Sequence, residues 1–582
     1  MTKKFTFLVL CAGLLLSAGD SRAQEIFDAI KGGDLARVEA VIKADPPALN
    51  SLNSYNQAPL IVALQEGKAE IAEYLIASGA DVNARDTARA TPLSYAITGG
   101  FQNIAKLLID KNADINTPAA WNMRPVAFAL EFGRKDIANM LLDRGAAIPV
   151  EPGQESYRLF FLACSNGFPR LVDTMLEKGF TISDNQYTRG LPHMAAAGGS
   201  AAIVEKLIQL GFKMDRKNEL GWTPLHAAAE KGSSQVSAIL LSQGAAINDR
   251  TLSGKSAYNI AVAMGKREIS GLLKEKGADL SGQKFPVLKG PYLGQGEPGN
   301  KPQLFALDIV TTQYMLHGNI VFTPDGLEAY WSGTYPAAGS DGLPYQILTM
   351  KQVNGIWRAP RLAPFCRIEY QDDCPYVTPD GGKIFFLSKR PLKPGDPLAD
   401  RENIWYAERK GDGWGAPKYV GDEINSLSVH WQVSTDLAGN LYFGGQEPDG
   451  KTMRDIFVSR YENGKYLKPE KLDFTVSSEN LEHSPFVAPD GSYLIFSRAS
   501  QQRSQLGIFI SFKTKEGQWG EAVCLNNVIG CPAATQCTYV TPDGKYLFYI
   551  SWGSSNWAAF WTKSDFIGNL RPKDQAISRP GG

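Results

Sequence analysis

The second half of the chain contains a small group of residues whose side chains could bind a ligand. Three of the five histidines lie there, and carboxylates and an amide occur beside the corresponding positions. The group consists of His317, Asp372, Asp373, His430, Gln432, Glu482 and His483. Imidazole and carboxylate groups are ligands for several transition metals, and together they could also hold an anionic sugar. We predict that this group binds a ligand, and we assign no catalytic residue, metal ion or cofactor from the sequence.

These residues precede copies of a four-residue turn. The tetrapeptide Thr-Pro-Asp-Gly at 323–326 recurs at 378–381 and 541–544, Ala-Pro-Asp-Gly occurs at 488–491, and a damaged copy spans 435–439. Proline and glycine in these places are typical of tight turns. An alternating apolar strand follows each turn, then a third strand, and then a fourth marked by Trp357, Trp414 or Trp519. Four short strands per repeat are typical of the blades of a β-propeller.

The last of these repeats lacks a fourth strand. The segment 303–311 has the character of a fourth strand that precedes the first repeat, and we predict that it completes the last blade. Because this arrangement closes the ring and removes exposed sheet edges, it favours five blades, with six as the alternative. The inner strands would then meet around a central channel, and the candidate ligand-binding residues would converge at one mouth of it.

The turns and strands resemble the TolB-like, WD-like propeller repeats that are named for their Pro-Asp-Gly turn, over about 301–575. The turns align Cys374, His430, Ser484 and Cys537 at one position of the blade, directly after Asp373 and His483. In repeats of this family a His-Ser-Pro stretch, as at 483–485, commonly stabilises the inner strand. The resemblance therefore implies a structural role as the alternative to ligand binding.

Six cysteines follow residue 23, and four of them stand close to these turns. Cys366 with Cys374, and Cys531 with Cys537, are near in sequence and occupy matching places in two blades. We predict that each pair forms a local disulfide, with Cys164 and Cys524 free, and the alternative is that all six are reduced. The sequence contains no Cys-x-x-Cys pair, which disfavours a metal site made by cysteines.

The first half of the chain has a different period. Pro-Leu or a related dipeptide begins at 59, 92, 125, 158, 191, 224 and 257, an unbroken spacing of 33 residues. Each dipeptide opens a short helix that ends near a glycine, a second amphipathic helix follows, and the repeat closes on Gly-Ala-Asp-Val-Asn (79–83) or a variant. Threonine before proline is a typical helix start. Because one helix pair cannot bury its apolar stripe, neighbouring pairs must stack into a solenoid.

This pattern resembles the ankyrin repeat, with Thr-Pro-Leu-His at 223–226 as its fullest copy. The resemblance covers about eight repeats, departs from the motif at Arg158 and Leu191, and implies binding of a protein or peptide along the concave face and hairpin tips. Tyr55, Trp121 and Tyr187 stand four residues before their dipeptides, at the tips. We predict that these aromatics contact the partner, and the alternative is that they pack against a neighbouring hairpin or domain.

The N-terminus carries a targeting pattern. Lys3 and Lys4 precede an apolar run over 5–16, and the small residues at 21 and 23 form a cleavage site, as in a Sec-type signal peptide. We therefore expect an extracytoplasmic protein, in the periplasm or secreted.

The 60 basic and 60 acidic residues balance, so we predict no nucleic-acid partner. No other apolar run is long enough to predict membrane insertion.

These features predict a multidomain protein with a signal peptide (1–23), an all-α ankyrin solenoid (24–281), a Gly/Pro-rich linker (282–302), an all-β propeller (303–575) and a tail (576–582). We expect a non-catalytic binding or scaffold protein, whose solenoid binds a protein partner and whose propeller binds a small ligand or second partner. The sequence contains no Gly-x-Ser-x-Gly, phosphate-loop or His-Glu-x-x-His motif. The competing hypothesis is a secreted metal-assisted polysaccharide lyase or hydrolase with the solenoid as targeting module. A third is that the solenoid braces the propeller.

Overall fold

The structure, a computed structural model, describes residues 24–53, 55–119, 122–299, 301–335, 344–393, 395–447, 454–473, 475–478, 480–499, 506–531, 535–552 and 557–572. The predicted signal peptide, the C-terminal tail and Trp121 lie outside these residues. The chain forms two compact units. The first unit ends at Ala246 and omits Lys217–Trp222, and the second unit contains Lys217–Trp222 and all residues from Ile247 onward. Within the described ranges, no helix is long and apolar enough to cross a membrane.

The first unit is a stack of helix pairs. A helical stretch over 24–32 precedes α1. The helices are α1 (Leu35–Ala44), α2 (Pro59–Gln65), α3 (Ala69–Ala77), α4 (Pro92–Gly99), α5 (Gln102–Asp110), α6 (Pro125–Glu131), α7 (Lys135–Asp143), α8 (Gln154–Ser165), α9 (Pro169–Glu177), α10 (Leu191–Gly198), α11 (Ala201–Gln209), α12 (Pro224–Lys231) and α13 (Ser234–Ser242). The predicted dipeptides therefore begin the first helix of most pairs, and the repeat that departs at Arg158 begins its helix earlier, at Gln154.

Asparagine side chains tie the first repeats of the stack to one another. Asn50, Asn83 and Asn116 accept hydrogen bonds from backbone N–H groups 31 residues further on, at 2.9, 2.7 and 2.7 Å. These asparagines close successive repeats, so the same bond recurs with the sequence period. Satisfying a backbone donor at each junction stabilises the stack in addition to apolar packing.

The tip of the last hairpin uses an acceptor that lies outside the hairpin. At most hairpin tips an Asn or Asp accepts the N–H of the residue two positions on, as Asn218 does from Leu220 at 3.0 Å. Thr251 stands at that position in the last hairpin, and the Ser253 N–H instead donates to Asp308 Oδ2 at 2.9 Å. Asp308 Oδ1 accepts from Trp222 Nε1, also at 2.9 Å. The hairpin residues and α14 (Ala257–Ala263) and α15 (Arg267–Glu275) therefore belong to the second unit with the propeller segment.

The remainder of the second unit consists of five sheets, each with four principal strands in order from the inner to the outer edge. Two short strands, β1 (Leu288–Lys289) and β6 (Ile356–Trp357), extend blade 1, and β11 (Gly413–Trp414), β16 (Tyr461–Glu462) and β17 (Lys465–Tyr466) form hairpins. Blade 1 contains β3 (Val321–Phe322), β4 (Glu328–Thr334), β5 (Tyr345–Val353) and β7 (Arg361–Leu362), and blade 2 contains β8 (Asp373–Val377), β9 (Lys383–Ser388), β10 (Asn403–Lys410) and β12 (Lys418–Tyr419). Blade 3 contains β13 (Ser428–Thr435), β14 (Leu441–Gln446), β15 (Asp455–Ser459) and β18 (Glu470–Lys471), and blade 4 contains β19 (Leu481–Val487), β20 (Tyr493–Ala499), β21 (Leu506–Phe512) and β22 (Val523–Cys524). Blade 5 contains β23 (Thr535–Val540), β24 (Tyr546–Trp552), β25 (Trp557–Lys563) and β2 (Gln303–Leu304).

Short helices complete the second unit. They are α16 (Asp422–Asn425), α17 (Asn526–Ile529) and α18 (Phe566–Leu570), with 3-10 turns at Tyr292–Gly294 and Ile368–Tyr370; a further 3-10 turn at Pro46–Asn50 lies in the first unit. The segment predicted as a linker is part of the second unit, because β1 pairs with β6 and the Gly290 carbonyl accepts a hydrogen bond from Trp357 Nε1 at 2.8 Å. Leu293 in this segment is fully buried.

The segment 303–311, which was predicted to complete the last blade, closes the ring. β2 pairs antiparallel with β25, so that Gln303 lies opposite Trp561 and Leu304 opposite Phe560. The Phe305 N–H donates to the Ala559 carbonyl at 2.9 Å. On the inner side, the Phe322 N–H of blade 1 donates to the hydroxyl of Tyr539 in blade 5 at 3.2 Å. The prediction of a five-bladed all-β region after a helical solenoid is confirmed.

Phe305→Ala tests the closure. The Phe305 ring is fully buried, with ring centroids of Phe548 and Trp561 at 4.9 and 5.1 Å. We expect the substitution to lower the free energy of unfolding of the second unit by about 3–5 kcal/mol, because it leaves a cavity beside the closing strand. Urea unfolding followed by tryptophan fluorescence measures this. The matched control is Leu437→Ala, at a side chain that is 66% exposed. This change should alter the free energy of unfolding by less than about 0.5 kcal/mol. Equal losses would contradict the role of Phe305.

Candidate functional site

Four inner strands share a bulge where the ligand mouth is predicted. β8, β13, β19 and β23 each shift register against the neighbouring strand of their blade. One residue at each bulge has a positive φ, which is uncommon for residues other than glycine: Cys374 (49°), Trp431 (63°), Ser484 (54°) and Cys537 (53°). Bulges redirect side chains away from the regular strand pattern. These four residues therefore share one distinctive backbone position around the propeller.

The turn alignment predicts three of these four residues correctly. The fourth is Trp431 rather than His430. Asp436 opens its turn instead of occupying the aspartate position within it, and the bulge residue precedes the residue that opens the turn by five positions rather than four. The Asp436 N–H donates to the Asn440 carbonyl, as the N–H of Thr378 does to the Lys383 carbonyl in blade 2. The side chain of His430 lies outside the described part of the structure.

His317, Asp373 and Cys374 form a cluster at the junction of blades 1 and 2. Nδ1 of His317 contacts Oδ2 of Asp373 and lies 4.0 Å from Sγ of Cys374. Asp373 is fully buried, and its Oδ1 accepts hydrogen bonds from Ser332 Oγ at 2.5 Å and from the Cys374 N–H at 2.7 Å. The His317 side chain retains 15% exposure, so the cluster is reachable from solvent.

A second run of contacts leads from this cluster to another predicted histidine. The Cys537 thiol lies 3.9 Å from the His317 carbonyl and 3.5 Å from Ser484 Oγ. Ser484 Oγ is in turn 2.9 Å from His483 Nδ1, and the Trp431 ring packs against His483 with centroids 3.9 Å apart and the ring planes tilted by 42°. His317 and His483 thus lie at the two ends of one polar chain.

The charges of the cluster follow from burial and proximity. Burial would lower the pKa of His317, but the adjacent Asp373 carboxylate outweighs it and holds that pKa above its usual value. Burial would raise the pKa of Asp373, but His317 and the Ser332 hydroxyl keep it below its usual value. Burial raises the pKa of the Cys374 thiol well above its usual range and that of Cys537 to about 12. At neutral pH these thiols are protonated.

Two predicted carboxylates are held by arginines instead of facing this cluster. Asp372 is fully buried and accepts bidentate hydrogen bonds from Arg390, at 2.6 and 3.1 Å. Glu482 is paired with Arg498 at 2.8 Å and also bonds the hydroxyl of Ser478. Both carboxylates therefore form ion pairs at the starts of their inner strands.

Gln432 also makes a contact between blades. Its Nε2 donates to the Thr538 carbonyl at 2.7 Å, while its buried Oε1 accepts no hydrogen bond from the described residues. The amide group thus links blade 3 to blade 5, which is a structural function at the centre of the ring.

The two predicted disulfides are not present: all six cysteines are free in the structure. Cys366 lies beside Asp372, whose carboxylate helps to raise the pKa of its thiol after burial itself. Cys374 is turned by the bulge toward His317, and Cys537 toward Ser484. Residues that are near in sequence are therefore directed to different neighbours, and this is the physical reason that the pairing fails.

Exposed aromatic side chains occur at the hairpin tips of the first unit. Tyr55 is 69% exposed and Tyr187 is 81% exposed. The backbone N–H of each donates to an asparagine two residues earlier, Asn53 and Asn185, at 2.9 and 2.8 Å. These turns hold the two tyrosines in equivalent positions, four repeats apart, as the period predicts.

Asp372→Asn tests the structural role of the predicted carboxylates. Because the change leaves the Arg390 guanidinium buried without its counter-charge, we expect a loss of about 3–5 kcal/mol in the free energy of unfolding. Chemical denaturation measures it. Glu369→Gln, in the exposed pair with Arg367, is the control and should cost less than about 1 kcal/mol. A comparably small loss for Asp372→Asn would show that the pair is not structural.

Comparison with protein-family models identifies the repeats of the N-terminal half. A model of ankyrin repeats in three copies matches residues 87–152 and 192–284, and a model of the single ankyrin repeat matches 55–87. These matches leave out 153–191, the stretch that contains the departure at Arg158, although α8 and α9 continue the helical pattern there. The chain therefore carries ankyrin repeats in its N-terminal half, followed by a five-bladed propeller-like region.

Proposed function

We propose that this protein is an extracytoplasmic, non-catalytic binding or scaffold protein that holds a protein partner on the hairpin tips of its ankyrin repeats. Ankyrin repeats imply protein–protein binding, and a propeller is a common binding scaffold. The lysine-led apolar run and cleavage site at the N-terminus support export. The repeated Pro-Asp-Gly turns support a TolB-like propeller that offers its channel mouth to a second ligand.

The observation that carries the proposal is the exposure of Tyr55 and Tyr187 on fixed turns. Large aromatic side chains that are held rigidly lose little conformational entropy on binding and are frequent anchors of interfaces. Neither ring is used to cover the core of its own repeat, since both are mostly exposed. Two such anchors at one repeated position favour a partner that extends along the ridge of tips.

The hairpins of the second unit support the same use of the tips. There Leu220 and Ser253, at the equivalent positions, are buried, and the Ser253 N–H donates to the Asp308 carboxylate. In the last hairpin, a residue at the tip therefore already binds another segment of the same chain. This contact also supports the bracing role as a second function, restricted to the last two hairpins.

The double variant Tyr55→Ala/Tyr187→Ala tests partner binding in the full chain. Truncation of a hot-spot aromatic typically costs about 2 kcal/mol, and each 1.4 kcal/mol is tenfold in affinity, so we expect at least about a 100-fold loss for the pair. Tagged protein is purified from the native extracytoplasmic fraction, bound proteins are quantified by mass spectrometry, and the affinity of the enriched partner is then measured with purified components.

The control variant is Trp552→Ala, which removes an aromatic residue 56% exposed in blade 5 and should retain the partner. The free energy of unfolding should stay within about 0.5 kcal/mol for both variants. An unchanged set of bound proteins in the double variant would contradict the proposal, and a large loss of stability would show that the tyrosines are structural.

Asp308→Ala tests the brace. It leaves the Trp222 indole N–H and the Ser253 N–H without their acceptor, and we expect a loss of about 2–4 kcal/mol from two bonds to a charged group. Differential scanning calorimetry of the full chain would show the transition of the second unit at lower temperature. Asp490→Ala, in the fourth blade's turn, is the control. An unchanged transition in Asp308→Ala would refute bracing.

A further inference from the structure

We propose that His317, Asp373 and Cys374 bind one transition-metal ion of the zinc class at the centre of the propeller. This inference does not rest on the proposed function, because it concerns residues of the second unit and needs no partner on the ankyrin tips. It also differs from the ligand group predicted by sequence, since Asp372 and Glu482 are excluded and a cysteine is included.

The three ligand atoms already converge. His317 Nδ1, a carboxylate oxygen of Asp373 and Cys374 Sγ all lie within 4.8 Å of one another. With Zn–S and Zn–N bonds of about 2.3 and 2.0 Å, tetrahedral ligand atoms stand roughly 3.3–3.7 Å apart. The Sγ to Nδ1 distance of 4.0 Å is therefore long by only a few tenths of an ångström. The ion would separate the imidazole and carboxylate, which now touch.

Asp373 is oriented for this role by its surroundings. Its Oδ1 accepts bonds from Ser332 Oγ and the Cys374 N–H, which fixes the plane of the carboxylate. Its Oδ2 is buried and contacts His317 Nδ1, so that this oxygen is directed at the proposed site. Hydrogen bonds that leave one ligand atom directed at the site are the usual support of metal-binding carboxylates.

The donor set selects the class of ion. A nitrogen, a carboxylate oxygen and a thiolate suit zinc and related borderline or soft ions, whereas Mg²⁺ and Ca²⁺ prefer oxygen ligands alone. With a neutral imidazole, the carboxylate and thiolate carry two negative charges, which a divalent ion neutralises in this buried place. Binding displaces the protons of the thiol and the imidazole, because the ligand atoms must be unprotonated.

Three protein ligands would leave a fourth coordination position for a water molecule or another exchangeable ligand. Three protein ligands with a fourth, exchangeable position are typical of zinc sites that are not purely structural. His317 forms the exposed side of the cluster, with the Tyr345 ring against it at 4.7 Å between centroids. Cys537 stays outside the ligand set, because its Sγ is engaged by Ser484 Oγ at 3.5 Å.

Cobalt and zinc titration of the full chain tests the site. Protein kept reduced and freed of metal by a chelator is titrated with Co²⁺, and then Zn²⁺ displaces the Co²⁺. We expect one ion per chain by elemental analysis, with a thiolate-to-cobalt absorption band. Loss of an outer-shell partner costs about 10–100-fold in affinity, so loss of a ligand in Cys374→Ser should cost at least about 100-fold and abolish the band.

Cys524→Ser, at an exposed cysteine away from the cluster, is the matched control and should keep both the band and the affinity. Circular dichroism confirms folding, and if Cys374→Ser does not fold, His317→Gln decides the question, with an expected loss of at least about 100-fold because it also removes a ligand. Absence of stoichiometric binding in folded wild-type protein overturns the proposal, as does an unchanged affinity in either variant. Tyr55→Ala/Tyr187→Ala should bind the metal normally, which separates this outcome from that of the proposed function.

Discussion

The antiparallel pairing of β2 with β25 joins residues from the two ends of the propeller sequence, and the centre of the second unit depends on it. This pairing places blade 5 beside blade 1, where Asn319 Nδ2 donates to the Cys537 carbonyl at 2.5 Å. The contact between Cys537 and His317 requires the same closure. The closing segment also contains Asp308, so one stretch of chain holds the ring together and anchors the last hairpins.

Much of this fold could be predicted, because each half repeats a local rule. Pro-Leu or a related dipeptide recurs every 33 residues and begins the first helix of most pairs, and Pro-Asp-Gly turns join the first two strands of the blades, so periodicity alone gives both architectures. The missing fourth strand of the last repeat also predicted the closure. The attachment of 217–222 and the last helix pair to the propeller could not be predicted. It depends on the Ser253 N–H, which donates to Asp308 rather than to the side chain at position 251, and Asp308 is distant in sequence.

The site was predicted less completely, because neighbouring residues of a strand point to opposite faces. Asp372 and Asp373 are adjacent, yet the first is paired with Arg390 and the second faces His317. A bulge changes this alternation locally, and no residue type at 374, 431, 484 or 537 signals a positive φ. The sequence therefore could not distinguish Asp372, which forms an ion pair, from Asp373, which faces His317, and it could not show that Cys374 is directed away from Cys366.

The closure has a consequence for how the chain folds. Thr311 and Ala559, which bond across the seam, are 248 residues apart, whereas the asparagine bonds between ankyrin repeats span 31. Contacts of short range form quickly and can do so during synthesis, while long-range β pairing is slow. The ankyrin repeats can therefore be complete while β2 and the outer edge of blade 5 are still unpaired. Such edges invite aggregation, so we expect folding of the propeller, rather than of the repeats, to depend on chaperones.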